Sequence, residues 1–429
     1  MAFLHEHIIL PLSDLLRGEQ VHKYLKTLKT AENWTLAQQE SFQQKRLKDL
    51  LMYVVSEVPF YQDWFRDHDI DPQTTSLDQM PIVSKAIMRQ EGIERFTANG
   101  FPKKDRILSR SSGSTGEPFS FYVSKEAYSV NTAAKLRTWY QAGYRLGDRY
   151  MKIANGARHG KLKKWQDRAN NCIYVPFYAI DNTALQSMLD KIERQRPQYI
   201  RSYPIPLYLL AKYRNSHPGY KHHPQRIFTT GSTLPQAYRE EIQKAFGCDV
   251  IDSYSCEGTP NTYETPAHDG YHTTNYYGII EVLDNNGQPV TDGIGRVVST
   301  DLWNLAYPFI RYDTQDLVEV KKGKIQRIMG RECECLINSG GKRYTVHNFV
   351  GFFQEDNRPT KQSVTAYQVV KCNDGSINFR LVVNNQYNSE IQKYIIDFWQ
   401  QQLGIPVSVS IVAEIPLMNN NKRLTIVEE

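Results

Sequence analysis

Ser111-Ser112-Gly113-Ser114-Thr115-Gly116-Glu117-Pro118 packs four hydroxyls and two glycines into eight residues. Glycine lets a backbone come close to a phosphate, and hydroxyls and amides donate hydrogen bonds to its oxygens. The apolar run 119–123 follows at once, so the octapeptide reads as a loop entering a strand. The Walker pattern G-x-x-x-x-G-K-[ST] and the dinucleotide pattern G-x-G-x-x-G are both absent. A phosphate loop here is therefore of another kind. On composition alone, a plain polar turn fits as well.

Outward from this loop the chain alternates. Residues 124–140 predict a helix with Ser124 as its N-cap. Strand-like runs follow at 199–203, 226–230 and 249–254, with a helical stretch at 236–246 stopped by Gly247. That alternation predicts an α/β sheet. Toward the N-terminus the chain reads as helical. Residues 42–55 carry Leu47, Leu50, Leu51 and Val54 at helical spacing, with Pro59 expected to end the helix. Residues 76–89 read as a turn and a short helix. After Gly270 the pattern turns β-rich. Runs 277–283 and 295–300 flank Asp284-Asn285-Asn286-Gly287, and runs 317–320 and 325–328 flank Lys321-Lys322-Gly323-Lys324, so two hairpins are predicted. Beyond them, strands at 363–371, 377–384 and 407–412 and a helix at 389–403 predict a small α/β domain. The expected boundary is Gly330-Arg331, dividing residues 1–330 from residues 331–429.

Bulk properties exclude several classes. The chain of 429 residues is 40% apolar and 23% charged, an ordinary globular balance. No apolar run approaches the roughly 20 residues of a membrane span. The N-terminal stretch Ile8-Ile9-Leu10 is closed by Pro11 and has no basic leader, so a cytoplasmic protein is expected. Net charge is +6, but 52 basic and 46 acidic residues are interspersed. The densest basic cluster, 161–168, alternates with Leu162, Trp165 and Asp167. It reads as a solvated helix face, and no nucleic-acid partner is expected. Six cysteines without a Cys-x-x-Cys pair predict reduced thiols.

Further motifs follow the loop in a fixed order: Thr230-Gly231-Ser232-Thr233-Leu234, Asp252-Ser253-Tyr254-Ser255-Cys256-Glu257-Gly258, Ile310-Arg311-Tyr312-Asp313-Thr314-Gln315-Asp316-Leu317, Gly330-Arg331-Glu332-Cys333-Glu334, and the segment 416–423 with Lys422 and Arg423. Together with the loop 111–118, this series resembles the adenylate-forming enzymes. Val58-Pro59-Phe60-Tyr61 and Met80-Pro81-Ile82-Val83-Ser84-Lys85 resemble the phenylacetate–CoA ligase branch, which includes proteins of capsular-polysaccharide gene clusters. The resemblance runs from about residue 40 to the end. It implies an α/β fold: a large N-terminal adenylate-forming domain of mixed sheets and helices, and a small mobile C-terminal α/β domain. It also implies ATP and Mg²⁺ as cofactors, and a carboxylic acid activated to an acyl-adenylate. The acyl group would then pass to CoA, to a carrier thiol, or to an amine on a sugar or amino acid. A non-catalytic binding protein that keeps the fold is the remaining alternative, and a homodimer is compatible with all three.

The resemblance assigns roles. Ser111, Ser112, Gly113, Ser114, Thr115 and Gly116 would hold phosphates. Gly231, Ser232, Thr233 and Tyr254 would line the nucleotide site. Glu257 would bind Mg²⁺, Asp316 would accept hydrogen bonds from the ribose hydroxyls, Arg331 would contact ribose or phosphate at the hinge, and Lys422 would reach the bridging α-phosphate oxygen. Tyr140, Phe177 and Tyr203, with Tyr254 beside them, are candidates for an acid pocket that suits an aryl or flat acid. Three positions depart from the pattern. Tyr254 stands three rather than four residues before Glu257. Cys333 stands where Asp or Lys is usual. Asp313 and Gln315 stand where Arg and Gly are frequent. Cys256, His268 and His272 have a spacing that zinc uses, and some members of the branch bind zinc in this region. Thr265 stands where a fourth ligand would be a cysteine, so loop histidines without metal are the other reading.

Overall fold

A computed structural model describes residues 2–110, 119–154, 160–176, 182–331, 335–338, 340, 343–344, 348–349, 352–353, 359–415 and 425–429. The loop 111–118 lies outside the described residues, as do Phe177, Cys333 and Lys422.

The middle of the chain forms a seven-stranded sheet in the order Tyr271–Thr273, Thr262–Glu264, Asp249–Tyr254, Arg226–Thr230, Tyr199–Ser202, Tyr150–Ala154, Cys172–Pro176. The last five are parallel, and the first two join antiparallel. Successive strand residues point to opposite faces. Ile200, Ile227 and Val250 are buried on one face with Leu189, Leu207 and Ile242 of the helices Asn182–Gln195, Pro204–Ser216 and Gln236–Phe246. Phe228 and Ile251 point the other way, toward the helix Lys125–Gln141, whose Trp139 stacks on Phe228 at 4.7 Å. Ser124 caps that helix: its Oγ accepts the Ala127 N–H at 3.0 Å.

Both expected hairpins form. Gly278–Leu283 pairs with Gly293–Asp301, and Tyr312–Lys321 with Lys324–Arg331. Lys322 and Gly323 turn the second with φ of 51° and 73°, the signature of a tight two-residue hairpin turn. These strands share a sheet with Val83–Ser84, which runs parallel to Tyr312–Lys321. Farther on, Val364–Lys371, Ile377–Val383, Val407–Ile411 and Ile426–Glu428 form a four-stranded sheet. With the helix Ser389–Leu403 it encloses a separate core around Trp399, Phe349 and Phe379.

The N-terminal part is helical, but proline acts differently from the sequence expectation. The helix Leu36–Glu57 stops at Val58, which is extended, and Pro59 opens the next helix, Pro59–Asp67. Pro11 likewise stands in the first turn of Leu10–Arg17. A first-turn proline gives up an N–H that had no partner anyway. No helix among the described residues is long and apolar enough to cross a membrane. Cys172, Cys248, Cys256, Cys335 and Cys372 are unbridged.

Candidate active site

The carboxyl ends of the parallel strands open on a cavity of about 570 Å³. Ligands of open α/β sheets bind at such ends. Gly231, Ser232 and Thr233 follow the strand Arg226–Thr230 and line one wall. Gly231 has φ 80°, and a Cβ there would stand 2.7 Å from the Tyr203 ring, so the aromatic wall requires glycine at this position. The next strand, Asp249–Tyr254, delivers Tyr254 and then the turn 255–258. Thr259 fixes this turn. Its Oγ1 accepts the Cys256 N–H at 2.6 Å, and its own N–H donates to the Cys256 carbonyl at 3.2 Å.

Asp316 and Arg331 come from neighbouring strands and are Cα partners in register. The Asp316 carboxylate lies 3.3 Å from Arg331 Nε and accepts the Tyr254 hydroxyl at 2.8 Å. Burial pushes the Asp316 carboxyl up, while Arg331 and Tyr254 pull it back. Glu257 lines the same cavity and accepts the Cys256 thiol at 3.2 Å. Burial, with Glu257 and Asp316 close by, drives the Cys256 thiol well above its ordinary range. A thiol held protonated is a weaker nucleophile than a thiolate. Lys85 was not singled out as a site residue from the sequence. It follows the strand Val83–Ser84, and its ammonium is lowered by burial, then by the Arg331 and Arg89 charges. Its only sequence signal was its place in the stretch 80–85.

Two departures from the family pattern find local reasons. Gln315 adopts φ 60°, the left-handed region, where glycine is the usual occupant. Its N–H donates to Asp313 Oδ1 at 2.9 Å, so Asp313 supports the turn beside Asp316. Arg311 also has positive φ, at 44°. Its guanidinium bonds Glu281 at 2.9 and 3.1 Å and the Asp78 and Met80 carbonyls at 2.8 and 3.0 Å. It therefore clamps the strand Tyr312–Lys321 to residues 78–80.

Several expectations do not assemble. Tyr140 is no cavity residue: its hydroxyl donates to Glu6 Oε2 at 2.9 Å, toward the N-terminal helices. Tyr254 is committed to Asp316 rather than to an acid pocket. Tyr203 does line the cavity, and Phe177 lies outside the described residues. Cys256, His268 and His272 do not converge. His268 Nε2 lies 2.8 Å from Asp249, and His272 Nε2 lies 2.8 Å from Asp269 and 3.1 Å from Lys324 Nζ, at the rim of the sheet. Among the described residues no group of three or more His, Cys, Asp or Glu side chains is placed to hold a metal.

A second cavity, of about 750 Å³, adjoins the first. Tyr128, Asn131, Lys135, Ser253 and Ser255 line both. Lys152 and Arg201, on adjacent parallel strands, line the second. None of these three cations was marked by the sequence motifs.

No family model matches the chain. It is 23% identical over 321 residues to Protein CapK of Staphylococcus aureus, spanning 68% of each chain. It is 26% identical over 300 residues to a phenylacetate-coenzyme A ligase of Thermus thermophilus, spanning 65% of this chain and 64% of that one. A crystal structure of 2-hydroxyisobutyryl-CoA ligase in the postadenylation state with 2-HIB-AMP matches with a TM-score of 0.70 at 17% identity, covering 91% of this chain and 89% of the ligase. The fold is that of the adenylate-forming ligases, as the ordered motifs implied.

Proposed function

We propose that this protein joins a carboxylic acid to the α-phosphorus of ATP, releases pyrophosphate, and passes the acyl group from AMP to CoA or another thiol. One observation carries the reading. Asp316, Arg331 and Tyr254 converge in a cavity that Gly231, Ser232 and Thr233 also line. Asp316 offers two carboxylate oxygens, which suit two vicinal ribose hydroxyls. Arg331 and Lys85 add positive charge where phosphates would lie. The loop 111–118 would contribute amides and hydroxyls.

The Glu257 carboxylate is half-buried, and among the described residues its hydrogen-bond partner is the Cys256 thiol. That fits one protein ligand of a Mg²⁺ ion whose remaining ligands are phosphate oxygens and water. Magnesium would offset the repulsion between the acid's carboxylate and the triphosphate. Lys422 would neutralise charge developing on the α-phosphate oxygens, a task for a compact ammonium on a flexible stem. Residues 331–429 would move relative to residues 1–330 between the two half-reactions, with the swivel at Arg331 to Cys333.

Exchange of labelled pyrophosphate into ATP, measured across a panel of acids, tests the reading. Acid-dependent exchange is expected. Nucleotide binding without exchange for any acid would leave a non-catalytic binding protein. Trapping the activated acyl group with CoA or with amines decides the acceptor.

A further inference from the structure

The second cavity carries a charge pattern that the adenylation reading leaves unexplained. Lys152, Arg201, Phe228 and Ile251 are successive Cα partners across four parallel strands, so they form one row on one sheet face. The row faces the helix Lys125–Gln141, and Phe228 and Ile251 behave as expected by joining the core. Lys152 and Arg201 do not. They place two like charges side by side, an arrangement that destabilises a sheet unless something offsets it. The helix above adds a third cation, Lys135, one turn before Trp139, and the Arg201 guanidinium stands 6.0 Å from the Trp139 ring. Among the described residues neither Lys135 nor Arg201 forms an ion pair with a carboxylate. The two acids on the cavity wall, Asp14 and Glu19, belong to the N-terminal segment and form no ion pair with Lys135 or Arg201: Asp14 accepts the His22 N–H at 2.7 Å through Oδ2 while its Oδ1 has no hydrogen-bond partner among the described residues, and Glu19 lies 3.6 Å from Arg17.

Lys135 opens onto both cavities, and its side chain is exposed to solvent there. Desolvation by the surrounding protein, then the Arg201 and Lys152 charges, lower its ammonium. Like charges gathered in one cavity repel one another, and an anion bound among them relieves that repulsion. The cluster is not placed to serve the nucleotide, because Asp316, Arg331 and Glu257 occupy the first cavity and Lys152 and Arg201 line only the second.

We propose that the acid this protein activates carries a second anionic group, held by Lys135 and Arg201 with Lys152 alongside, at the end remote from the carboxylate that is adenylated. The proposal rests on the adenylation reading for the word "activates", but the anion subsite is a separate, binding-level property. A second carboxylate, a phosphonate and a sulfonate share the required chemistry.

Calorimetry on the whole protein with glutarate, 3-phosphonopropionate and 3-sulfopropionate, against butyrate and glutaramate, tests the subsite. The three dianionic probes should bind about 10- to 100-fold more tightly than the two monoanions, the range for charge-assisted hydrogen bonds. The order among the three names the group. R201Q and K135Q should each reduce that preference at least about tenfold, and R201Q, whose position lies outside the first cavity, should leave ATP affinity unchanged. Equal affinity for glutarate and butyrate, no binding of any dianion, or a preference that survives in both variants would overturn the proposal. A dianion that binds but supports no pyrophosphate exchange would instead refute adenylation and leave the subsite standing.

Discussion

The two adjoining cavities balance charge in opposite ways. In the first, the Asp316 carboxylate is met by Arg331 and the Tyr254 hydroxyl, and Glu257 by a thiol. In the second, Lys135, Lys152 and Arg201 gather, and Lys135 and Arg201 find no carboxylate among the described residues. A site that binds one invariant molecule can be internally neutral and spelled out in short motifs. A site that selects among acids can keep cations such as Lys135 and Arg201 without carboxylate partners, and its residues are scattered over a helix and two strands. Predictions that damage one cavity and spare the other therefore sharpen the contrast.

The largest effect should come from Lys422→Ala. The adenylation rate should fall by roughly two to three orders of magnitude, as for loss of one transition-state donor. Transfer from preformed adenylate should change far less, and a single-turnover assay of each half-reaction reads the difference. Equal losses would remove Lys422 from its role.

Asp316→Ala comes next. It deletes the proposed ribose acceptor and leaves Arg331 and the Tyr254 hydroxyl without their partner, so ATP binding should weaken by about 1–3 kcal/mol in calorimetry. Acid selectivity in the same variant should stay as in the wild type. If Asp316→Ala flattens acid selectivity, the two cavities are not separate in function.

Cys333→Pro probes the link between the half-reactions. Proline fixes φ and removes an amide donor, so one half-reaction should survive while the other falls, with acyl transfer the expected casualty. Pyrophosphate exchange and transfer falling together in folded protein would refute a swivel at this point.

The smallest effect concerns stability. Asp252 is buried, with hydrogen bonds from Thr229 at 2.5 Å and Tyr271 at 2.6 Å, and burial raises its carboxyl to about 6. The folded state thus holds a proton that the unfolded chain, with an aspartate value near ~3.9, releases earlier. Asp252's contribution is fully present below about pH 4 and is lost as pH rises through about 6. Thermal melts from pH 4 to 7 should show a shallower decline for Asp252→Asn than for the wild type. Parallel curves would mean that Asp252 does not titrate in this range.

What was legible in the sequence follows from the same physics. Strands buried on both faces, such as Arg226–Thr230 and Asp249–Tyr254, are apolar enough to read directly. Gly247 ended its helix at φ 61° as glycine at a C-cap does. Asp316 and Arg331 were each visible as motif residues, but their pairing depends on strand register, which no motif states. Gln315 looked like a departure, and only its φ of 60° shows that it fills a glycine's conformation. Spacing does not fix direction: His268, His272 and Tyr140 turn to the carboxylates of Asp249, Asp269 and Glu6, so the Cys256, His268 and His272 spacing does not bring those three side chains together. Lys135, Lys152 and Arg201 are far apart in the chain, and only folding puts them together.

Reaction chemistry gives the most direct test of acid activation. The acid, chosen by its calorimetric binding, is supplied with ¹⁸O in its carboxylates, together with ATP, Mg²⁺ and CoA. Attack on the α-phosphorus transfers one carboxylate oxygen to AMP, so mass spectrometry should find a single ¹⁸O in AMP and none in pyrophosphate. Label in inorganic phosphate with ADP as the nucleotide product would instead mean attack at the γ-phosphorus, and would contradict adenylation outright.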